Sequence, residues 1–145
     1  MSGLSRAAQV FYAVLMGVMI GCAAWVILPS IETNYFPVNS RGDIVRAERQ
    51  TPYIIRIWGT ATKYRECNFE GLRWYRGKRS DRAVIIPVKF LEANKIRDEG
   101  RFDFGPWDIV LNEQFSLDET YADALHQCTV LGIKLPWITR SRFYN

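Results

Sequence analysis

The 145-residue sequence contains few of the residues from which active sites are built. It has a single histidine, His126, and three cysteines, and it lacks both a Gly-x-Ser-x-Gly element and a glycine-rich phosphate loop. Its net charge of +4 is spread along the chain without a run of one sign. Nucleic-acid binding, which needs a basic patch or stripe, is therefore not expected.

The chemistry of the single histidine is limited by its neighbours. The element His126-x-Cys128 places two types of metal ligand on one strand face, but no further histidine is available. A disulfide between Cys67 and Cys128 would also remove the thiolates that a nucleophile needs. The carboxylates occur at spacings that select no acid–base pair. We therefore predict a protein that is not an enzyme, with no catalytic residue, no metal and no cofactor.

A stretch without charges is the most informative feature that is present. Residues 10–28, VFYAVLMGVMIGCAAWVIL, contain no charged residue, amide or proline. A helix of this length spans about 28 Å, close to the thickness of the hydrocarbon core of a bilayer. We predict one transmembrane anchor within residues 1–31, ended by Pro29 and Pro37.

The flanking charges predict the orientation of this anchor. Arg6 precedes it, whereas residues 29–40 contain no Lys or Arg, so the positive-inside rule places the N-terminus in the cytoplasm and the rest outside. Two alternatives remain open. One is a cleaved secretory signal, although its apolar region would be shorter than the 19 residues found here. The other is a lipoprotein signal, MIGC ending at Cys22, although polar residues would then follow Cys22 at once, whereas residues 23–28 are apolar.

Small residues recur at every fourth position of the predicted helix, at Ala13, Gly17 and Gly21. Such a row allows a second helix to approach closely. It predicts either self-association of the helix or docking on a larger membrane complex. The alternative is that glycine and alanine are simply common in membrane helices.

The rest of the chain shows the two-residue hydrophobic alternation of β-strands. Turn formers in residues 32–42 predict a short stalk, and residues 43–145 are predicted to form the folded domain, with one helix-like piece at 91–98. Breaks are expected near Gly71 and at Gly105-Pro106, and Pro87 requires an edge position or a bulge. The predicted strands are 44–48, 53–62, 67–74, 83–90, 102–111, 121–131 and 137–144.

Seven short strands separated by turns predict a two-sheet β-sandwich of immunoglobulin-like type. Cys67 and Cys128 form the cysteine pair of this domain, and an oxidising compartment favours a disulfide between them; two buried free thiols are the alternative. We expect the bridge to link the third strand to the sixth across the two sheets. The predicted fold class is mainly β, with one transmembrane helix and a disulfide-bridged sandwich.

Basic and aromatic residues are interleaved around the third predicted strand. Arg, Trp and Tyr are favoured at interfaces, so this segment predicts a sheet face that meets lipid headgroups or a protein partner. The alternative is that long side chains cover a solvated sheet face. The residues of the predicted interface are Arg73, Trp74, Tyr75, Arg76 and Arg79.

Several spaced residues resemble a known group of proteins. They follow the N-terminal anchor as Lys63-x-Arg65-x-Cys67, Gly105-Pro106-Trp107, His126-x-Cys128 and Pro136-Trp137. The pattern is similar to that of small single-pass membrane proteins of unknown function encoded by bacteriophages and prophages. The resemblance implies a bacterial or phage setting, an anchor in the bacterial inner membrane and a periplasmic sandwich, and it supplies no catalytic residues.

Two functions are compatible with these features. The first is a non-catalytic, membrane-anchored interaction module on the periplasmic side, with a phage accessory acting on the host envelope as its more specific form. The second is a structural accessory subunit of a larger membrane complex or membrane-containing virion, docked through its helix. Both have the lipid bilayer as a partner, and neither uses nucleic acid.

Overall fold

The computed structural model describes residues 5–77, 79, 83–93, 96–111 and 116–145. The chain divides into two units, Met1–Phe36 and Pro37–Asn145. The first unit contains one long helix, and the second contains the strands.

Helix α1 spans Arg6–Tyr35, and the hydroxyl of Ser5 accepts a hydrogen bond from the N–H of Ala8 at its start. Its large apolar side chains are exposed, as a helix that faces lipid requires. Within the described residues, α1 is the one helix that is long and apolar enough to cross a membrane. An N-terminal apolar helix followed by a β domain fits a membrane-anchored module.

The prediction that Pro29 ends the helix is wrong. The helix continues through Pro29 to Tyr35. A proline removes one main-chain hydrogen bond, but the bonds on either side can hold a long helix together. The helix ends where Phe36 leaves the helical region, because the proline that follows, Pro37, disfavours a helical conformation in the residue before it.

The second unit confirms the predicted fold class, because it is mainly β, carries the Cys67–Cys128 disulfide and forms two antiparallel sheets. One short 3-10 helix, Leu117–Glu119, precedes the seventh strand. The strands are β1 (Asp43–Thr51), β2 (Ile54–Lys63), β3 (Cys67–Arg76), β4 (Val84–Ile86), β5 (Val88–Phe90), β6 (Gly100–Val110), β7 (Thr120–Val130), β8 (Ile133–Lys134) and β9 (Thr139–Tyr144).

The two sheets form a sandwich around one main core. The four-stranded sheet has the order β1-β2-β6-β5, and in the five-stranded sheet β3 pairs with β4 and β7, which also pairs with β8 and β9. Side chains from both sheets meet in the core. Its members include Ile57, Ile109, Phe104 and Trp107 from the first sheet and Trp74, Ile86, Ala122 and Phe143 from the second.

Pro87 separates two short strands that the sequence predicts as one. Residues Val84–Ile86 pair with β3 in the five-stranded sheet, whereas Val88–Phe90 pair with β6 in the four-stranded sheet. The expected edge position is confirmed for both pieces, but a single strand over 83–90 is wrong. Because Pro87 has no N–H to donate, the chain can leave one sheet and join the other at this residue.

The structure corrects two other local predictions. The breaks predicted near Gly71 and at Gly105-Pro106 are wrong as interruptions, because β3 and β6 run on through these positions. Each position instead carries a register shift, between β3 and β7 and between β2 and β6. The helix-like piece at 91–98 is wrong for its described residues, 91–93 and 96–98, which lie in neither helix nor strand. Strand β8 and the 3-10 helix are too short for a periodic pattern to reveal.

The predicted stalk is divided between the two units. Residues 32–35 belong to α1, whereas residues 37–42 lie against the strands. Val38 is fully buried, its N–H donates to the hydroxyl of Ser141 at 2.9 Å, and its carbonyl accepts from the N–H of Tyr64 at 2.8 Å. The chain thus enters the β unit as a bound segment and not as a free linker.

Candidate functional site

The disulfide lies at the end of the β unit where the chain enters it. Cys67 and Cys128 are directly paired residues of β3 and β7, with 4.4 Å between their Cα atoms, so the predicted bridge is confirmed. Its predicted position across the two sheets is wrong, because β3 and β7 are neighbours in one sheet. The third cysteine, Cys22, is a free thiol on α1.

A small cavity lies between the two sheets beside this end. Its volume is about 50 Å³, and aromatic side chains of both sheets contribute to its wall. Two buried polar residues also reach it: Asn39 is 4% exposed and His126 is 5% exposed. The aromatic residues are Phe69, Phe90, Phe102, Trp107 and Phe143.

Two polar atoms beside this cavity have no hydrogen-bond partner among the described residues: Asn39 Oδ1 and His126 Nδ1. The amide nitrogen of Asn39 donates to the carbonyl of Ser40 at 2.8 Å, which identifies Oδ1 as the atom that lacks a partner. Buried polar atoms are normally paired with protein or with ordered water. At about 50 Å³ the cavity can hold a few water molecules, and it is too small for an aromatic ligand.

The charged residues at the cavity interact with one another. Glu92 accepts a hydrogen bond from the indole N–H of Trp107 at 2.6 Å and forms an ion pair with Arg97. The ammonium of Lys63 donates to the carbonyl of Arg97 at 2.5 Å. These interactions fix the non-regular segment that follows β5 against the core.

Burial, together with the positive charges of Lys63 and Arg65, lowers the pKa of His126 to about 4. The imidazole is therefore neutral at pH 7, and its ring packs edge-on against Phe69. Cys128, two residues away, is in the disulfide and has no thiolate to offer. This arrangement suits a structural role for His126.

A metal site needs several ligating side chains close together. Over the part of the chain that the structure describes, no set of three or more His, Cys, Asp and Glu side chains is arranged to hold a metal ion. His126 therefore has no set of further ligands around it within that part of the chain.

Strand alternation separates the residues of the predicted interface. Trp74 is 0% exposed and lies in the core, where its indole N–H donates to Thr120 Oγ1 at 2.8 Å and its ring stacks on Tyr144. Its prediction as an interface residue is therefore corrected. By the same alternation Arg76 falls on the side of Trp74, whereas Arg73 and Tyr75 point to the opposite side.

The side of the five-stranded sheet that faces away from the core, termed the outer face, carries an ordered group of side chains. Tyr75 and Tyr121 are directly paired, and their rings stack with centroids 4.9 Å apart. The guanidinium of Arg79 lies 4.6 Å from the ring centroid of Tyr121, and Arg79 Nη2 lies 2.6 Å from Asp123 Oδ1. A cation–π contact and an ion pair thus hold Arg79, while the stacked ring of Tyr75 supports the ring of Tyr121 beneath it.

Further arginines extend the outer face. On β3, Arg73 is paired with Asp123 of β7. On β9, Arg142 is paired with Asp123 and Arg140 with Leu125 of β7. All three arginines are exposed. The outer face is therefore rich in arginine, with Asp123 engaged by Arg79, and it suits an acidic partner.

The predicted helix-packing residues lie on α1, in the first unit of the chain. Ala13, Gly17 and Gly21 are all exposed on the helix. A Cβ atom built on Gly17 or Gly21 meets nothing within 4 Å, so the row presents an open strip of backbone.

Sequence reasoning missed several residues of these sites, and three of them show why. Tyr121 and Asp123 could have been found, because they alternate with Ala122 and Ala124 on a predicted strand. Asn39 gave no such signal, because its burial depends on a segment that was predicted to be a free stalk.

Comparisons with known proteins were made for the whole chain. No family model matches it, and neither a curated protein nor a solved structure matches it. The function is therefore argued from the residues and their geometry.

Proposed function

We propose that this protein is a non-catalytic interaction module that is anchored in a membrane by α1 and binds an acidic protein partner through the outer face. The observation that carries the proposal is the position of Arg79, which Asp123 holds above the ring of Tyr121. A fixed arginine loses less conformational entropy on binding than a free one. Tyr and Arg are also the residue types that most often dominate interface energies.

Two features support an extracytoplasmic position for the β unit. Arg6 precedes the apolar segment, and no Lys or Arg follows it until Arg41, a distribution that favours a cytoplasmic N-terminus. The Cys67–Cys128 disulfide persists in oxidising compartments and is rare in the cytosol. We therefore place the β unit outside the cytoplasm. On the sequence resemblance, the compartment is the bacterial periplasm, and the most specific form is a phage accessory that acts on the host envelope.

Site-specific photo-crosslinking in cells that express the full chain tests the outer face. A photoreactive residue replaces Arg73 in one variant and Arg101, an exposed arginine of the other sheet, in the matched control. We expect a discrete adduct from position 73 and none from position 101. The Asp123→Ala substitution, which releases Arg79, should weaken the adduct. Equal labelling from both positions would exclude the outer face as the binding surface.

A second candidate function is that of a structural subunit docked through α1 in a larger membrane complex or a membrane-containing virion. It is favoured by the open strip at Ala13, Gly17 and Gly21. Replacing Gly17 and Gly21 by Leu should abolish association in this case and leave binding by the outer face unchanged. Co-purification of the partner with each variant separates the two functions.

A further inference from the structure

The hairpin formed by β7 and β8 has an apolar tip. Val130 pairs with Ile133, and Leu131 and Gly132 form the two-residue loop between them. Leu131 is 98% exposed and Ile133 is 71% exposed, so large hydrophobic side chains occupy the most solvent-accessible part of the turn. Exposed apolar groups that lie side by side mark sites of contact with another apolar phase.

The backbone at this tip makes the choice of leucine unusual. The φ angles of Leu131 and Gly132 are +50° and +79°, the left-handed values that a tight two-residue hairpin loop requires. Asn, Asp or Gly normally occupies the first of these positions, because they adopt positive φ most readily. Leucine is unfavourable here for two reasons: it adopts a positive φ angle less readily, and its apolar side chain is exposed to water. Residues in such unfavourable conformations cluster at functional sites.

The hairpin lies at the end of the β unit where the chain enters it. Val38, the second residue of the unit, packs against Cys67, Cys128 and Leu135, and the N–H of Leu135 closes the base of the hairpin by donating to the carbonyl of Cys128 at 2.9 Å. Leu131 is three residues past Cys128, roughly 10 Å along an extended strand. Phe36 alone connects α1 to Pro37, the first residue of the unit.

The charges near the tip complement a lipid surface. Lys134 is exposed on the hairpin, and residues 127–137 contain no acidic residue. Arg65 and Glu66, one charge of each sign, lie beside the hairpin, so the charge at this end is positive by the contribution of Lys134. Tyr64, whose N–H binds Val38, is also exposed at this end. Basic residues are attracted to anionic headgroups, and tyrosine is favoured in the interfacial zone.

We propose that Leu131, with Val130 and Ile133, inserts into the interfacial zone of the bilayer that holds α1, as a second membrane contact of the β unit. The inference rests on the membrane anchoring of the proposed function, and it is independent of any partner for the outer face. The depth of such insertion is about 5–10 Å for apolar groups that lie in the interface. The occupant is the lipid, because a single residue, Phe36, connects the proposed anchor to the residues that pack at this end of the unit.

Fluorescence quenching on the full chain tests the insertion. The chain, with Cys22→Ser to leave one reactive thiol, is reconstituted at one copy per nanodisc of zwitterionic lipid with a minor fraction of anionic lipid. An environment-sensitive probe is attached to Leu131→Cys, or to Ile85→Cys as the matched control. Ile85 is an equally apolar, 62% exposed residue on β4, which pairs with the opposite end of β3. We expect the probe at position 131 to be blue-shifted and quenched several-fold more by shallow lipid-borne quenchers than the probe at 85.

A second pair of variants controls for a change in the folding of the hairpin caused by replacing Leu131. A probe on Ile133→Cys should be shielded by lipid when residue 131 is Leu and should lose most of this shielding with Leu131→Asn, because asparagine suits the turn but not the lipid. Equal exposure of the probes at 131 and 85 would overturn the insertion. Shielding that appears only with several copies per nanodisc would also overturn it, in favour of contact between copies.

The failure of the insertion can be distinguished from failure of the anchoring. If the full chain floats with the lipid but the probe at Leu131 remains aqueous, the insertion alone is wrong. If the full chain does not float with lipid, the membrane anchoring itself is wrong, and the insertion falls with it.

Discussion

Cys67 and Cys128 face each other on neighbouring strands of one sheet, 4.4 Å apart between Cα atoms. The bridge nevertheless constrains both sheets, because the 61-residue separation between the cysteines includes β5 and β6 of the other sheet. Cross-linking a loop of this length removes conformational freedom mainly from the unfolded chain. The position of the bridge within one sheet therefore does not reduce its expected effect on stability.

Replacing both cysteines of the bridge should lower the stability of the β unit. We expect the Cys67→Ala/Cys128→Ala chain to lose about 4 kcal/mol of unfolding free energy, the value for closure of a loop of this length. Urea unfolding of the full chain in micelles measures the difference. Cys22→Ser, which removes the free thiol of α1, is the matched control and should leave the midpoint unchanged. A loss below about 1 kcal/mol would contradict the loop-closure account.

The thiol content of the membrane-extracted chain should report its processing and compartment. We expect an uncleaved mass with one disulfide, between Cys67 and Cys128, and one free thiol at Cys22. Mass spectrometry before and after reduction and alkylation gives both values. A mass that starts at a lipidated Cys22 would identify a lipoprotein, and three free thiols would place the β unit in the cytoplasm.

The stability of the β unit should decrease in mild acid because of His126. Its pKa is about 4 in the folded protein, below its ordinary value, so the unfolded chain binds a proton between pH 6.5 and 4 that the folded chain does not. The unfolding free energy should therefore fall by up to about 3 kcal/mol as the pH drops through this range, with no contribution from His126 above pH 7.

The His126→Gln variant isolates this contribution. The carboxylates titrate in both proteins, so the difference between the two stability curves reports the imidazole alone. Chemical denaturation at several pH values provides the curves. If they run parallel between pH 7 and 4, His126 is not buried in a neutral form.

Trp74 and Arg73 are sequence neighbours with opposite environments, and their substitutions should differ accordingly. Trp74→Ala removes a fully buried ring and should cost about 3–5 kcal/mol, whereas Arg73→Ala on the outer face should cost less than about 0.5 kcal/mol. Thr120→Val leaves the Trp74 indole N–H unpaired and should cost about 1–3 kcal/mol. Thermal or urea unfolding measures all three. Similar losses for Trp74→Ala and Arg73→Ala would be inconsistent with the core position of the indole.

Most of the strand pattern could be predicted because alternation is a local property. Apolar residues at every second position identify β2, β6 and β7 without knowledge of their partners. The same rule, applied more strictly, would have assigned Trp74 and Tyr75 to opposite faces. The cysteine pair likewise followed from composition and compartment alone.

The remaining features depend on residues that are far apart in sequence. The alternation around Pro87 is the same whether the chain stays in one sheet or changes sheets. The spacing of Cys67 and Cys128 does not specify that their strands are neighbours. The cavity beside His126 exists because the segment at Asn39 packs against strands that follow much later in the chain. Pro29 could not be recognised as an interior helix residue, because its local effect is to disfavour helix.

The exchange of sheets at Pro87 determines the borders of both sheets. Each sheet has, as one of its borders, a strand of only three residues beside a proline, which offers little backbone for a foreign strand to pair with. The longer borders carry charge instead, with Arg46 and Glu48 on β1 and Arg140 and Arg142 on β9. Edge-to-edge aggregation is thereby discouraged on these four borders. Under the proposed anchoring by α1, confinement to a membrane plane would raise the local concentration of the β unit, and these borders would oppose its polymerisation.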